Sequence, residues 1–131
     1  MGVVPMPIDA LQHINTRCAD VERTKEFYVQ ILGLRVGDRP PFQSAGYWLY
    51  LGDHPIVHLV QRPPGDEAKA GSGNLDHIGF GGVDLEGTRA ALKAADIAYG
   101  EQVVPRDGMV QIFVNDPDGI KIELNFETLK S

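Results

Sequence analysis

The feature that most restricts the fold of this 131-residue chain is an internal repeat. Adding 64 to a residue number carries His13 onto His77, Ile14 onto Ile78, Asp20 onto Asp84, Glu22 onto Glu86 and Thr24 onto Thr88. The pattern around these identities repeats as well. Between residues 11 and 18, His13, Asn15 and Arg17 alternate with Ile14, Thr16 and Cys18, the period of a strand with one polar face. Asp20 then offers a helix N-cap, and Val21, Thr24, Phe27, Tyr28, Ile31 and Leu32 recur at helical spacing up to Gly33, a natural stop. In the second copy the stripe is Leu85, Ala91, Leu92 and Ala95. A period of this length is too long for a solenoid unit and suits two supersecondary modules packed together.

Each module is predicted to run strand, helix, then three strands. In the first, a short strand over Leu34–Gly37 is followed by a Pro40-Pro41 loop, and Tyr47–Leu51 and Ile56–Gln61 flank the turn Gly52-Asp53-His54-Pro55. A constant offset lays Tyr47–Tyr50 on Gln111–Val114 and the turn at Gly52 on Asp116-Pro117-Asp118-Gly119. One extra residue in the second copy then brings Val57-His58-Leu59 onto Ile122-Glu123-Leu124. The expected class is α+β, with two tandem βαβββ modules forming a curved mixed sheet around a central cavity. A single domain over 1–131 is expected, with the first module at 11–62, a Pro- and Gly-rich linker at 63–75, the second module at 76–126, and residues 1–10 as a leading arm.

Composition narrows the function classes. A net charge of −6 with scattered Lys and Arg speaks against nucleic-acid binding, which needs a basic face. The apolar runs are too short for a membrane span, and residues 1–10 have neither the basic nor the apolar region of a secretory signal, so a cytoplasmic protein is expected. Cys18, the only cysteine, forms no internal disulfide and is expected to be a small buried hydrophobe.

Four residues concentrate the chemistry. His13 and His58 are 45 residues apart, and His77 and Glu123 are 46 apart, each pair taken from the first and last strands of one module. In the last strand Ile120, Ile122, Leu124 and Phe126 alternate with Lys121, Glu123 and Asn125, while Val57 and Leu59 alternate with Ile56, His58 and Val60. His58 and Glu123 therefore fall on matching faces, away from the apolar layer. Imidazole and carboxylate together suit one divalent ion of Fe, Mn, Ni, Co or Zn, with positions left open for substrate. His54, in a turn, is expected to be exposed. The chain carries no Gly-rich phosphate loop, serine nucleophile elbow or zinc-finger cysteine spacing.

At Glu26-Phe27-Tyr28, Ile31-Leu32-Gly33-Leu34, Asp76-His77-Ile78 and Asp116-Pro117-Asp118-Gly119-Ile120-Lys121-Ile122-Glu123 the chain resembles the vicinal oxygen chelate superfamily. That superfamily includes glyoxalase I, methylmalonyl-CoA epimerase, extradiol dioxygenases, fosfomycin-resistance thiol transferases and bleomycin-binding proteins. The resemblance covers residues 11–126 and implies paired βαβββ modules around a metal and substrate cavity, commonly within a homodimer. Its ligand positions fall on His13, His77 and Glu123, and its fourth falls on His58, where glyoxalase I typically has Glu. Arg17 resembles the arginine that binds the glutathione carboxylate in glyoxalase I, whereas Arg62 stands where that enzyme usually has Asn. Trp48, with Tyr47, Tyr50 and Phe113, is positioned to wall an aromatic substrate pocket or to pack in the core.

These residues lead to a metal-dependent lyase or isomerase of glyoxalase type, acting on a small molecule through chelation of vicinal oxygens, with Glu123 or His58 transferring the proton. Arg17, Arg62 and Trp48 are the expected substrate contacts. Two rivals stand beside it: a ring-cleaving dioxygenase and a metal-free binding protein of the bleomycin-resistance kind. The fourth ligand separates the two enzymes, since four protein groups leave an octahedral ion two open positions and catechol plus dioxygen needs three.

Overall fold

The computed structural model describes residues 7, 9–66, 71, 75–105 and 108–127. Most of the leading arm and much of the 63–75 linker thus lie outside the described residues. Within them, the first module consists of β1 (Ile14–Cys18), α1 (Val21–Gln30), β2 (Arg35–Gly37), β3 (Gly46–Leu51) and β4 (His54–Gln61). The second consists of β5 (His77–Gly82), α2 (Leu85–Ala94), β6 (Gly100–Val103), β7 (Val110–Asn115) and β8 (Lys121–Phe126). Both modules are βαβββ units, as the repeat predicts.

The helices begin where the sequence places their caps. Asp20 accepts from the Arg23 amide and Asp84 from the Gly87 amide, each satisfying an orphan donor of the first turn for about 1 kcal/mol. Gly33 ends α1 in the left-handed region, letting the Leu34 amide reach back to the Tyr28 carbonyl. Asp96 takes the corresponding positive φ after α2. His54, expected in a turn, instead opens β4 because it pairs with Leu51; it is exposed, as expected.

The strands form two four-stranded mixed sheets, β1-β4-β3-β2 and β5-β8-β7-β6. In each, the first strand runs parallel to the last and the remaining pairs are antiparallel. Each module forms its own mixed sheet, because among the described residues β1 and β5 pair with the closing strand of their own module. One face of each sheet is apolar, and α1 packs on that of the first against β1, β3 and β4. Leu49, Val57, Leu59, Tyr28 and Cys18 are fully buried in the first module, as are Leu92, Ile112 and Ile122 in the second. Cys18 is thus the buried hydrophobe that its place in the strand suggested, and burial pushes its thiol up to about 11.

Register corrects one part of the repeat. Trp48 pairs with His58, and Phe113 pairs with Glu123, so Trp48 corresponds to Phe113 and the offset in these strands is 65. The offset of 64 used for Tyr47–Tyr50 is one residue short, which in a strand reverses every face. The added residue therefore precedes β7, and a bulge between Leu49 and Tyr50 adjusts the first module near its turn.

The modules are fastened by a polar knot. Tyr28 donates to Asp116 (2.8 Å), Thr24 donates to Asp118 (2.8 Å), and the Ala19 amide donates to the other oxygen of Asp118 (3.0 Å). Asp116 also accepts from the Asp118 and Ile120 amides, both at 2.9 Å. The turn between β7 and β8 of the second module thereby grips the helix of the first.

Candidate metal centre

Opposite the apolar layers, each sheet has an open face, and the four candidate ligands lie there as two pairs. His77 begins β5, and the parallel register sets Gly79 beside Glu123 and Gly81 beside Asn125. Without side chains at those glycines the face is uncovered: a Cβ at Gly79 would lie 3.5 Å from Glu123 Oε2, and one at Gly81 would meet nothing within 4 Å. His77 Nε2 is 3.7 Å from Glu123 Oε2. Asp76 accepts from His77 Nδ1 at 2.8 Å, so the Nε2 lone pair is the one left to face the carboxylate. Lys121 lies 3.7 Å from the same Asp76 oxygen. The His77 and Lys121 contacts hold the Asp76 carboxyl below its usual range.

The first module presents a stack. The His58 ring is sandwiched between His13, at 3.9 Å between centroids, and Trp48, at 4.1 Å, with planes within 10° in both contacts. Phe42 leans on the far side of Trp48 at 6.3 Å. His58 is only 7% exposed, and its Nε2 lies 3.0 Å from the Pro55 carbonyl. A carbonyl only accepts, so Nε2 carries the proton and the neutral ring keeps its lone pair on Nδ1. Burial, and then the neighbouring His13, lower the His58 pKa, which favours that neutral form.

The stack limits what this pair can hold. An imidazole lone pair lies in the ring plane, and a point between two nearly parallel stacked rings lies over their faces, along neither lone pair. His13 and His58 as placed therefore do not ligate one ion together. Among the described residues, no three His, Cys, Asp or Glu side chains gather into a metal-holding group. His13, His58, His77 and Glu123 are brought together two and two.

Arg17 and Arg62 converge. Both guanidinium groups reach the same oxygen of Asp66, Arg62 at 3.5 Å. A cavity of about 370 Å³ beside them is lined also by Asn15, Ile78, Asp118 and Ile120, at the seam between the modules. Trp48 contributes to the open face through its stack. Sequence reasoning missed Asp76 and Asn125, the hydrogen-bond partners of His77 and Glu123; an acid beside a candidate ligand and an amide two residues from another were the available signals.

A match to the profile of the Glyoxalase/Bleomycin resistance protein/Dioxygenase superfamily spans residues 10–124, and the chain belongs to that superfamily. Its similarity to Glyoxylase I 4 of Arabidopsis thaliana is 28% identity over 127 residues, covering 92% of this chain and 72% of that one. A probable lactoylglutathione lyase of Vibrio cholerae is 30% identical over 120 residues, 86% of each protein. Among solved structures, a mutant of the fosfomycin resistance protein FosX from Listeria monocytogenes, complexed with Mn(II) and 1S,2S-dihydroxypropylphosphonic acid, superposes with a TM-score of 0.73 at 19% identity. That superposition covers 93% of this chain and 95% of FosX, and it shows a shared fold. No helix among the described residues is long and apolar enough to cross a membrane.

Proposed function

We propose that the protein is a metal-dependent lyase or isomerase of glyoxalase type, acting on a small molecule with vicinal oxygens. The observation that carries this reading is the His77–Glu123 pair. An imidazole nitrogen, oriented by Asp76 from behind, faces a carboxylate oxygen 3.7 Å away on an uncovered sheet face. This is the donor chemistry and outer support of a divalent-ion site. His13 supplies the third ligand. A bound divalent ion would polarise the substrate oxygens and make the adjacent C–H more acidic.

The rest belongs to the chain. His58, neutral and with its lone pair on Nδ1 because Nε2 donates to Pro55, is the proton-transfer group beside the site, with Glu123 as the carboxylate of the ligand set. Trp48 holds the His58 ring in place through the stack. Arg17 and Arg62, already drawn to one carboxylate at Asp66, suit an anionic group on the substrate. The names of the Arabidopsis and Vibrio relatives favour lyase chemistry and make the hemithioacetal of methylglyoxal and glutathione the first substrate to try.

In this reading the two half-sites, on separate sheets of one chain, are completed in a two-fold homodimer. His13 and His58 of one protomer then meet His77 and Glu123 of its partner, twice per dimer. The decisive experiment is metal analysis after reconstitution with Fe, Mn, Ni, Co or Zn, combined with product formation from the hemithioacetal. Stoichiometric metal lost in His77→Ala and retained in His58→Phe is expected. Absence of stoichiometric metal from the wild-type protein would sink the enzyme reading.

One observation favours a second reading. With His58 in its stack, the ligand set reduces to two histidines and one carboxylate, the number that leaves room for catechol and dioxygen on iron. Robust oxygen uptake by the iron-loaded protein with catechols would place this reading first.

A further inference from the structure

We propose that Gln102, Gln111 and Asn125 form a directional amide relay that positions the Glu123 carboxylate in the site. The proposal rests on the reading of Glu123 as a ligand and adds to it three residues on three strands. Asn125 Nδ2 donates to Glu123 Oε2 at 3.1 Å, Gln111 Nε2 donates to Asn125 Oδ1 at 2.9 Å, and Gln102 Nε2 donates to Gln111 Oε1 at 2.7 Å.

The direction follows from the carboxylate end. An ionised carboxylate only accepts, so Asn125 must turn its NH2 toward it, and its oxygen then faces Gln111, which must donate in turn. All three amide dipoles therefore point the same way, and each bond strengthens the next. The backbone makes the row possible. Gln102 pairs with Gln111 and Gln111 with Asn125 across the sheet, while Asn125 and Glu123 share a face at alternate positions of β8.

The duplication supplies an internal control. The first module builds the same sheet with Val60 in the place of Asn125 and Gly46 in the place of Gln111, paired in the same register. A sheet of this kind thus forms without any amide at these positions. The row occurs in the module whose closing strand bears the carboxylate, and it runs toward that carboxylate. On the other flank β5 sets Gly79 and Gly81 opposite Glu123 and Asn125, and the β5 side chain that meets the acid is His77, 3.7 Å from the same Oε2. The relay fixes Oε2, leaving Oε1 as the oxygen that Asn125 does not touch.

Mn(II) affinity, followed by electron paramagnetic resonance of the free ion, tests the relay in Asn125→Ala, Gln111→Ala and Gln102→Ala, with thermal melts to confirm folding. The expected loss is roughly 10- to 100-fold for Asn125→Ala, smaller for Gln111→Ala and smallest for Gln102→Ala. Gln111→Glu gives a sharper readout. Added negative charge alone would tighten a cation, whereas an acceptor facing Asn125 turns that amide over, sets its oxygen against Glu123 and weakens binding. Unchanged affinity in Asn125→Ala, or tighter binding in Gln111→Glu, overturns the relay. The Glu123 side-chain carboxyl 13C resonance reads the same row without metal: it is expected to move in Gln102→Ala, and a fixed resonance overturns the relay. If His77→Ala binds Mn(II) as well as the wild type, the metal-site reading fails, and the carboxyl resonance still decides the relay.

Discussion

Trp48 and His58 lie face to face on neighbouring strands, 4.1 Å between ring centroids and within 10° of parallel. With His13 stacked on its other face, His58 is the middle ring of three, and it is the more buried of the two histidines. His58→Phe keeps an aromatic ring between His13 and Trp48, so folding and metal content are expected to match the wild type. Turnover should fall by roughly 10²- to 10⁴-fold through loss of the proton-transfer group. Parallel metal analysis and steady-state kinetics check this, and metal loss in His58→Phe would make His58 a ligand after all.

Asp76 is expected to act through His77. Asp76→Ala removes the acceptor that fixes the His77 ring, and about a 10- to 100-fold loss of metal affinity should follow with little change in the melting temperature. Titration calorimetry with Mn(II) or Zn(II) measures it directly.

A site shared between protomers has a distinctive genetic signature. His13→Ala and His77→Ala should each be inactive alone, but a mixed dimer restores one intact site because both substitutions fall in the other. After random subunit exchange, about a quarter of wild-type activity is expected. No recovery after exchange, with dimers confirmed by light scattering, would place each site within one chain.

Asp116 couples module docking to pH. It is 3% exposed, and desolvation raises its pKa above the ordinary carboxylate value. The folded state therefore binds the proton more tightly than the unfolded state, so the Asp116 contribution to stability is fully present below the unfolded pKa and is lost as pH rises through the raised folded one. Asp116→Asn removes that dependence and keeps an oxygen for the Asp118 and Ile120 amides, while Tyr28 can turn to accept from the new NH2. Urea unfolding should thus show this variant gaining on the wild type as pH rises across that window. Asp116→Ala, which strands those donors, should cost about 2–4 kcal/mol.

Gly46 is irreplaceable for a different reason. A Cβ there would lie 2.1 Å from the Leu59 carbonyl oxygen, a backbone atom that cannot swing aside, and 2.9 Å from the Arg39 guanidinium. Gly46→Ala is expected to cost about 3 kcal/mol or more, read from the denaturation midpoint. Gly79→Ala, facing ordinary contacts, should fold normally.

The repeat of histidine, cap and helix stripe was legible because each rests on local rules: strand alternation, capping chemistry and helical spacing belong to short windows of chain. They placed both βαβββ modules, the buried Cys18 and the faces of His58 and Glu123. Tertiary structure decided what local windows do not contain. Cross-strand pairing moved Trp48 onto Phe113, since register depends on where the partner strand carries its extra residue. Packing turned His58 into the middle of a ring stack, and sheet pairing gave Glu123 a row of amides from β6, β7 and β8. The chain by itself names two histidines and their downstream partners; only the folded sheets divide them into two half-sites, because among the described residues each module pairs its strands within itself.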